Sequence, residues 1–447
     1  MPKIAVLGAG LAGLSSAYEF SKKGFEVTVF EKNPQEGGLA KSISGKGFLS
    51  DLGPHRFHPK NKELVEYLES ELGINFIERK RKSQIFLKGK FINYPLELTN
   101  ILQSVPLSDS IAMLVDYASA KIFPGKNNDS FEDWTQNRFG KKIYNTFFKG
   151  YTEKILGLDC TKISKDWSEQ RIKLLDLKSI LKSFSGNNSS GPEGTFFYPE
   201  KGGVGSFSKR FAEKISKHGG KILFNSKIKK IAKKNNSISG ISYEHNGKNI
   251  SEKFDFVVST IPLKNLAELS DAPKNVIESA SQLKFRGIVF VYLALNKKNV
   301  SDNHWIYFPE KDFFCNRISE PQNFSEKNTQ NISVVCAEIT CNFGDKIWNE
   351  KDDVIISKTI SSLSRAGLFN ESEVISSTVL REPFVYPILD LDYKKNLANA
   401  RSYANSFQNL KCIGRSGSFS YQNMDASLEQ GIEAAKAAVK IISNTRR

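Results

Sequence analysis

The sequence predicts an α/β fold with a parallel sheet, and three observations lead to this class. An apolar run rich in branched residues, Lys3–Leu7, is followed by glycines and then by a helical spacing of apolar residues that stops at Gly24. A second such run, Glu26–Phe30, completes a strand, helix and strand within about thirty residues. Strand patterns return far along the chain, at Phe254–Thr260. Parallel strands joined by helices are typical of α/β proteins.

Length and composition limit the classes of protein that remain. The 447 residues are too many for one ordinary core, so two or three packed units are expected. With 39% hydrophobic and 25% charged residues, the composition excludes global disorder. The longest wholly apolar stretch, Ile288–Leu295, is too short to span a membrane and predicts a buried strand. We expect a soluble protein without a membrane span.

The net charge indicates which partners are favoured, and the cysteines indicate whether metal sites or disulfides are expected. Lys and Arg number 64 against 48 Asp and Glu, which gives a net charge of +16 and favours anionic partners. Most of the basic residues are scattered lysines, which are typical of a solvated surface. The five cysteines include no CxxC pair, so neither a metal site nor a disulfide framework is expected. The amino terminus enters a strand at once, which predicts a cytoplasmic location.

The first turn carries a dinucleotide-binding pattern. In Gly8-Ala9-Gly10-Leu11-Ala12-Gly13, the first glycine permits a tight turn, the second lets the backbone approach a pyrophosphate, and the third allows close packing of helix on strand. Glu31 ends the second predicted strand, where an acidic residue binds the ribose hydroxyls of an adenosine. Because the glycines, strand, helix and acidic residue occur in register, the pattern predicts a dinucleotide cofactor.

The remaining elements follow in chain order. Helical periodicity dominates from about residue 75 to 193 and predicts helices at Ser108–Phe123 and Ser130–Tyr151. Strand signals then return at Lys221–Phe224, Ser239–Tyr243 and Phe254–Thr260, with a hairpin turn at Asn246-Gly247. A further strand-rich block, Leu283–Thr340, precedes a final helix, Ser427–Ser443.

Three later segments indicate a flavin. A diglycine at Gly37-Gly38 follows Glu31, the strand around Val257-Val258 ends in Ile261-Pro262, and Gly414-Arg415 opens a loop before the last helix. Together with the first turn, they resemble the FAD-binding folds of the amine oxidase superfamily. The resemblance implies a Rossmann-like FAD-binding domain of the GR2 type with an inserted mixed helical and antiparallel-sheet substrate domain.

The resemblance also implies domain boundaries and cofactor contacts. The FAD-binding domain is expected to combine residues 1–74, 200–270 and 405–447, and the substrate-binding domain residues 75–199 and 271–404. The residues expected to bind FAD are Gly8, Gly10, Leu11, Ala12, Gly13, Glu31, Lys32, Gly38, Leu39, Ala40, His55, Ile228, Gly414, Arg415, Met424 and Asp425.

Within this superfamily, several stretches are similar to UDP-galactopyranose mutase and its bacterial relatives. They are the histidine loop Asp51–His58, the segment Phe147–Lys154, the element Asn316–Glu320, the pair Tyr386-Pro387, and the run Gly414–Asp425. The order of the matches agrees with the order in the family. The resemblance implies a polysaccharide-related isomerase in which reduced flavin attacks the anomeric carbon of a nucleotide-linked sugar and no net redox change occurs. NAD(P)H is the expected external reductant.

The resemblance carries substrate roles onto this sequence. Arg171 and Arg317 are expected to bind the diphosphate, since a guanidinium stays charged and binds phosphate oxygens in pairs. His55 is expected to lie against the flavin. Phe147, Tyr151, Tyr386, Tyr421 and Asn423 are expected to contact the substrate. The alternatives left open are an interdomain ion pair or a solvated surface position for either arginine, a purely loop-fixing role for His55, and a core position for Phe147.

Two further functions compete with the mutase. Leu156 and Asn423 stand where the bacterial mutases have a tryptophan and a carboxylate, and Tyr198–Gly203 looks like a segment of protoporphyrinogen oxidase-like proteins. These departures favour an oxidoreductase, protoporphyrinogen oxidase-like, desaturase-like or amine oxidase-like, that passes hydride from substrate to flavin N5. The charge alone favours a protein that binds nucleic acid or an anionic membrane, but no nucleic-acid module or basic amphipathic helix accompanies it. We therefore expect a small-molecule substrate and no nucleic acid.

Overall fold

The computed structural model describes residues 1–45, 47–59, 62–94, 106–171 and 194–445. The described strands, numbered along the chain, are β1 Lys3–Leu7, β2 Glu26–Phe30, β3 Ser42–Gly45, β4 Phe48–Asp51, β5 Phe76–Lys80, β6 Ser83–Leu87, β7 Lys90–Asn93, β8 Thr195–Pro199, β9 Lys221–Leu223, β10 Lys227–Lys234, β11 Ser237–His245, β12 Lys248–Glu252, β13 Phe256–Ser259, β14 Phe285–Leu295, β15 Trp305–Tyr307, β16 Arg317–Ser319, β17 Ser333–Cys341, β18 Val374–Pro387 and β19 Leu410–Cys412.

The described α-helices are numbered in the same way. They are α1 Leu11–Lys22, α2 Lys62–Leu72, α3 Leu107–Ile122, α4 Phe131–Phe139, α5 Lys141–Ile143, α6 Gly150–Leu156, α7 Lys165–Arg171, α8 Gly205–Lys217, α9 Leu263–Leu269, α10 Lys274–Ser281, α11 Pro321–Phe324, α12 Asp352–Arg365, α13 Tyr393–Asn405, α14 Gly414–Gly417 and α15 Met424–Thr445. A π-helical turn, Tyr144–Lys149, joins α5 to α6.

The parallel sheet confirms the predicted α/β class. Within the described residues it has five strands in the order β19, β13, β1, β2, β9. Leu7 of the central strand β1 pairs with Phe30 of β2 on one side and with Ser259 of β13 on the other, and both pairings are parallel. β1 is buried from Ile4 to Leu7 because both faces of the sheet are covered. Ile4 and Val6 share a core with residues of α1, α8 and α15, whereas Ala5 and Leu7 share a core with residues of β10 and β11. β1 and β2 have the predicted bounds.

Helices α1 and α15 cross at very short range beside this sheet. A Cβ atom at Gly431 of α15 would stand 2.0 Å from Ser15 Oγ and 2.3 Å from the Ala12 carbonyl oxygen of α1. The Ser15 hydroxyl also donates to the Leu428 carbonyl at 3.1 Å. Only glycine at position 431 allows this approach. The last helix is therefore fixed against the helix that follows the glycine turn.

A second, mixed sheet holds the long strand β14 at its centre. In the described chain its order is β18, β14, β17, β16, β15, β6, β7. The apolar run Ile288–Leu295 lies inside β14 and is buried, as predicted. Val289, Val291 and Leu293 share a core with α12 residues such as Ile355. The alternate residues of β14 face the other way, toward the loop after β4, since side chains alternate along a strand.

The helical region differs from its prediction. Instead of one helix at Ser130–Tyr151, the chain forms α4, α5, the π-helical turn and α6, because Gly140 has a φ of +82° that breaks the first helix. The predicted hairpin turn is confirmed, with φ of +50° at Asn246 and +73° at Gly247 between β11 and β12. The last helix begins at Met424, three residues earlier than predicted.

The strands of the parallel sheet come from three separate parts of the chain. They lie at residues 3–30, 221–259 and 410–412, whereas the described strands of the mixed sheet lie at 83–93 and 285–387. The predicted domain boundaries stay a prediction. No helix within the described ranges is long and apolar enough to cross a membrane.

Candidate functional site

The three glycines of the first turn differ in how much space a side chain would find at each position. Gly8 has a φ of +105°, and a Cβ there would stand 2.2 Å from Thr260 Oγ1. A Cβ at Gly13 would stand 2.1 Å from the Gly8 carbonyl oxygen. At Gly10, by contrast, a Cβ would meet no described atom within 4 Å. The open space lies at the glycine whose backbone is predicted to approach a pyrophosphate, so the turn fits that group.

The amino terminus of α1 adds backbone donors to this space. Gly10 is the N-cap and offers no side-chain hydrogen bond, and no acidic residue occupies the first turn of α1. The diglycine lies alongside, because the Gly37 N–H donates to the Ala9 carbonyl at 2.8 Å and a Cβ at Gly38 would stand 3.3 Å from Gly10 Cα. An uncapped helix amino terminus with nearby glycines is suited to an anion such as a pyrophosphate.

Glu31 lies at the end of β2, as predicted, but part of its carboxylate is already engaged. Oε2 accepts the Ala9 N–H at 2.9 Å, and Oε1 accepts the Asn33 backbone N–H at 2.9 Å. The Ser226 N–H donates to the Glu31 carbonyl at 2.8 Å, which brings the start of β10, and with it Ile228, beside the end of β2. Binding of a ribose by Glu31 and of an adenine by Ile228 stays a prediction.

The segment after β19 closes the same site. The Gly414 N–H donates to Gln430 Oε1 at 2.6 Å, and a Cβ at Gly414 would stand 3.1 Å from Ala12 Cβ. Arg415 donates to the carbonyls of Gln422 and Val385 at 2.5 to 3.1 Å. The structure therefore brings together the first turn, the diglycine and the Gly414 loop, as the sequence predicts.

The other residues predicted to bind the cofactor lie around these segments in varied surroundings. Leu11, Ala12, Ala40 and Met424 are buried, Leu39 packs against the core, and Asp425 is half-buried. Lys32 is exposed, with its Nζ 5.6 Å from the centroid of the Phe384 ring.

His55 lies half-buried in the loop after β4, between two cations. Its Nδ1 is 3.3 Å from the Gly53 carbonyl oxygen. Burial, with the positive charges of Arg415 and Arg317 as further causes, lowers the pKa of His55 to about 4. The imidazole is therefore neutral at pH 7. Because a carbonyl oxygen can only accept, a hydrogen bond to Gly53 requires the proton on Nδ1, and this tautomer leaves Nε2 as the acceptor.

Arg317 forms a bidentate ion pair with Glu338. Nε and Nη2 of the guanidinium are each 2.7 Å from a carboxylate oxygen of Glu338, across the neighbouring strands β16 and β17. The side chain of Glu338 is 1% exposed and that of Arg317 is 16% exposed. Glu338 and Tyr386 raise the pKa of Arg317 against the effect of burial. Arg317 is therefore ion-paired, but within one sheet and not between domains, and a diphosphate role for Arg317 stays a prediction.

Aromatic side chains cluster beside this pair, at the place where a substrate cleft is predicted. Arg317 Nη2 lies 3.5 Å from the Tyr386 hydroxyl. The Tyr386 ring lies 6.0 Å from the Tyr421 ring, and Trp167 meets both rings edge-on, at 6.3 and 5.8 Å between centroids. The structure thus brings together the predicted residues Arg317, Tyr386 and Tyr421, and adds Trp167.

Tyr151 approaches the same cleft from α6. Its ring meets Tyr307 edge-on at 5.3 Å, and the Arg317 guanidinium lies 6.0 Å from the Tyr307 ring centroid. Tyr307 was not predicted from the sequence. It comes from the short strand β15, whose pairing with β16 places it opposite Arg317.

Three predicted substrate residues are not seen at the cleft. Phe147 is buried in an apolar cluster that includes Ile85 and Met113, in agreement with the core alternative, so a stacking role stays a prediction. Asn423 is exposed. Arg171 ends α7, four residues after Trp167, and its side chain lies outside the described residues.

A buried carboxyl beneath the histidine loop was also missed. Asp51 accepts from the Tyr198 hydroxyl at 2.7 Å and from the Val204 N–H at 3.1 Å, and burial raises the pKa of Asp51 to about 6. Asp51 and His55 both line a cavity of about 10 Å³. The sequence did contain a signal for this carboxyl. Asp51 is an acidic residue at the end of a strand, two residues before Gly53-Pro54.

Lys154 holds the loop that leads into β16. Its Nζ lies 2.7 to 2.8 Å from the carbonyl oxygens of Phe308, Glu310, Phe313 and Cys315. Burial lowers the pKa of Lys154 to about 8. The lysine ties α6, which carries Tyr151, to the segment that carries Arg317.

The comparisons with known proteins agree with this geometry. The family model of the flavin-containing amine oxidoreductases matches residues 11–439. Among solved structures, reduced UDP-galactopyranose mutase is similar at a TM-score of 0.86, with 22% identity and coverage of 99% of this chain and 96% of that one. A protein described as a protoporphyrinogen oxidase from Exiguobacterium sp. 255-15 gives a TM-score of 0.76, with 13% identity and 98% coverage of both chains. At these identities the likeness shows the fold.

Curated relatives are oxidoreductases by name. The 1-hydroxycarotenoid 3,4-desaturase of Flavobacterium sp. (strain P99-3) is 26% identical over 55% of this chain and 54% of its own length. The mitochondrial protoporphyrinogen oxidase of Nicotiana tabacum is 23% identical over 69% of each chain. The chain thus spans about half the length of the desaturase that it matches. Because the family model covers nearly the whole chain and the glycine segments fit the cofactor, the chain belongs to the flavin-containing amine oxidoreductase family and binds FAD.

Proposed function

We propose that the chain is a mutase-type isomerase that interconverts the pyranose and furanose forms of a nucleotide-linked sugar. The observation that carries the proposal is the Arg317 guanidinium, held by Glu338 at the edge of an aromatic cleft beside His55. Reduced FAD would supply a nucleophile in this cleft. The fold likeness to UDP-galactopyranose mutase over nearly the whole chain supports the proposal.

The residues of the cleft have separate tasks in this proposal. Glu338 fixes the Arg317 fork, and the outer edge of the guanidinium binds a diphosphate oxygen as the nucleotide departs. The Tyr386 hydroxyl, 3.5 Å from Nη2, contributes a second donor to the same oxygen. His55 stays neutral, and its Nε2 accepts a hydrogen bond from the sugar or the cofactor. Arg171 and Tyr421 complete the diphosphate site.

In this proposal, different segments of the chain bind the cofactor and the substrate. Residues 1–74, 200–270 and 405–447 hold FAD, and residues 75–199 and 271–404 hold the sugar nucleotide. Because the reduced cofactor is the active form, NAD(P)H or another external donor starts the cycle but is not consumed at each turnover.

Dithionite-reduced, FAD-loaded protein tests this proposal with UDP, GDP and CDP sugars. We expect one of them to perturb the flavin absorbance spectrum and to yield a furanose product by NMR. Arg317→Ala should abolish the perturbation, whereas Arg317→Lys, which keeps the charge, should retain a weakened one. Absence of binding by all three nucleotide classes would overturn the proposal.

A net oxidoreductase is the second candidate, and a specific observation favours it. Glu338 already neutralises Arg317, so the cleft offers aromatic surface with little net positive charge from that pair. The curated relatives named desaturase and protoporphyrinogen oxidase point the same way. An apolar substrate added anaerobically to the oxidised protein would then bleach the flavin without a prior reductant.

A further inference from the structure

Helix α3 has one face on the protein and an apolar face in solvent. Ser110 and Met113 are buried against the protein. On the opposite side, large apolar residues recur three, four or seven positions apart, which are spacings of one helix face. These exposed residues, called here the α3 stripe, are Leu107, Ile111, Leu114, Val115, Ile122 and, directly after the helix, Phe123.

The α3 stripe is unusual within this molecule. It holds six of the twelve exposed large hydrophobic side chains in the described chain. Phe123 is 78% exposed and Val115 is 64% exposed. Scattered exposed apolar residues are normal, but a contiguous patch of this kind marks an interaction surface.

Cations border the stripe. Lys121 at the end of α3, Lys126 in the following loop, and Lys141 and Lys142 on the neighbouring helix α5 are all exposed. Three acidic residues, Asp109, Asp116 and Asp129, lie in the same region as these lysines. Asp116 accepts the Lys142 backbone N–H at 2.6 Å, and Asp109 is half-buried in the first turn of α3. Asp129 pairs with Lys165 at 3.7 Å, and its side chain is 88% exposed.

The lysines around the stripe indicate which partner the stripe binds, a second copy of the chain or an anionic bilayer. A second copy would bring together two chains that each carry a net charge of +16, and it would add the lysines of both patches to one interface. An anionic bilayer fits both the stripe and the lysines. Its apolar interior can bury the stripe, and its negative headgroups attract the lysines.

We propose that the α3 stripe binds this protein to the surface of an anionic lipid bilayer, with α3 lying in the interface plane. Leu107, Ile111, Leu114 and Val115 enter the boundary between headgroups and acyl chains, while Lys121, Lys126 and the α5 lysines contact the headgroups. The proposal stands independently of the reaction assigned to the cleft. It replaces the expectation from the sequence that no basic amphipathic helix accompanies the positive charge.

Flotation of the complete FAD-loaded protein with vesicles tests this surface. We expect the protein to float with phosphatidylcholine vesicles that contain phosphatidylglycerol, and much less with phosphatidylcholine alone. Ile111→Glu/Val115→Glu should lower partitioning by at least about tenfold, since it sets two charges at the apolar boundary. Ile375→Glu is the matched control, because Ile375 is 55% exposed, like Ile111 at 54%, but lies on β18.

A second measurement reports insertion directly. Tryptophan fluorescence of Leu114→Trp should shift to shorter wavelength on addition of the anionic vesicles, and the shift should vanish in Leu114→Trp/Ile111→Glu. Vesicle binding that survives Ile111→Glu/Val115→Glu unchanged, or a lack of flotation by the wild type, overturns the proposal. So does a dimer in solution that the same double substitution converts to a monomer, since the stripe would then bind a second copy.

Discussion

Arg317 and Glu338 meet through two parallel hydrogen bonds of 2.7 Å across neighbouring strands, and Gly53 covers the carboxylate from the other side. A Cβ at Gly53 would stand 2.7 Å from Glu338 Oε1. The histidine loop, the ion pair and the mixed sheet are therefore in direct contact. His55 follows Gly53 by two residues in the same loop, with its Nδ1 3.3 Å from the Gly53 carbonyl oxygen.

Loss of the arginine should destabilise the fold as well as the site. Arg317→Ala leaves the buried Glu338 carboxylate without its partner, so we expect the free energy of unfolding to fall by about 3 kcal/mol or more. Arg317→Ala/Glu338→Gln should recover part of that loss, because the buried charge is then removed. Thermal unfolding of the FAD-loaded proteins measures both changes. Equal losses in the single and double variants would contradict the pairing.

Two glycines of the first turn should respond differently to alanine. Gly10→Ala adds a methyl group to open space, so unfolding of the apoprotein should change by less than about 0.5 kcal/mol. The same methyl group occupies the space assigned to the pyrophosphate, and FAD affinity should fall at least about tenfold.

Gly13→Ala is the matched comparison for that change. Its Cβ would stand 2.1 Å from the Gly8 carbonyl oxygen, so the apoprotein itself should lose about 1–3 kcal/mol. Denaturant unfolding without FAD and fluorescence titration with FAD separate the two effects. Unchanged FAD affinity in Gly10→Ala would show that the cofactor does not use this space.

His55 should make stability depend on pH. The pKa of His55 falls from an ordinary 6.5 to about 4 in the folded protein, so the unfolded chain binds the proton more readily between these values. Stability is therefore lost as the pH falls from 6.5 toward 4. The pKa of Asp51 is raised, which acts in the opposite direction, but wild type and variant share that group.

The variant His55→Asn isolates this effect. Between pH 7 and pH 5 the wild type should lose about 1–2 kcal/mol more than His55→Asn. Unfolding temperatures across this range provide the measurement. If the two proteins lose stability in parallel, the neutral buried state of His55 is wrong.

Lys154 should stabilise the loop from Phe308 to Cys315. Lys154→Met removes the donor from four backbone carbonyls, and we expect a loss of about 3 kcal/mol or more. Lys149→Met serves as the control, since Lys149 makes only a 4.0 Å pair with Glu153 that is worth a few tenths of a kcal/mol. Hydrogen exchange should accelerate around residues 308–316 in the first variant alone. Equal exchange in both variants would contradict the role of Lys154.

The local parts of the fold were predictable from sequence, and the contacts between distant parts were not. β1 and β2 have their predicted bounds because local signals mark their ends: Gly8 follows β1, and β2 lies between Gly24 and Glu31. The Ser130–Tyr151 helix was predicted too long, since its periodicity continues through Gly140 although the backbone there adopts a φ of +82°. Periodicity reports which residues face the core but does not report a break in the backbone.

The site residues divide in the same way, into those that depend on local sequence and those that depend on contacts between distant elements. The glycine positions follow from local geometry and were found by their spacing. Glu338 was missed because its pairing with Arg317 depends on the register of β16 against β17, although it is the one acidic residue in an otherwise uncharged strand. Tyr307 and Trp167 were missed for the same reason, since rings that meet in the cleft come from separate elements.

The crossing of α1 and α15 has a consequence for biosynthesis. Ser15 bonds to Leu428, 413 residues later, and Gly8 lies against Thr260, whose hydroxyl bonds to Leu7 across 253 residues. The first turn leaves the ribosome early, but it has no covering helix until Leu428 has been synthesised. During translation the nascent chain therefore exposes the α1 surface that α15 later covers, and it completes the cofactor site only near the end of synthesis.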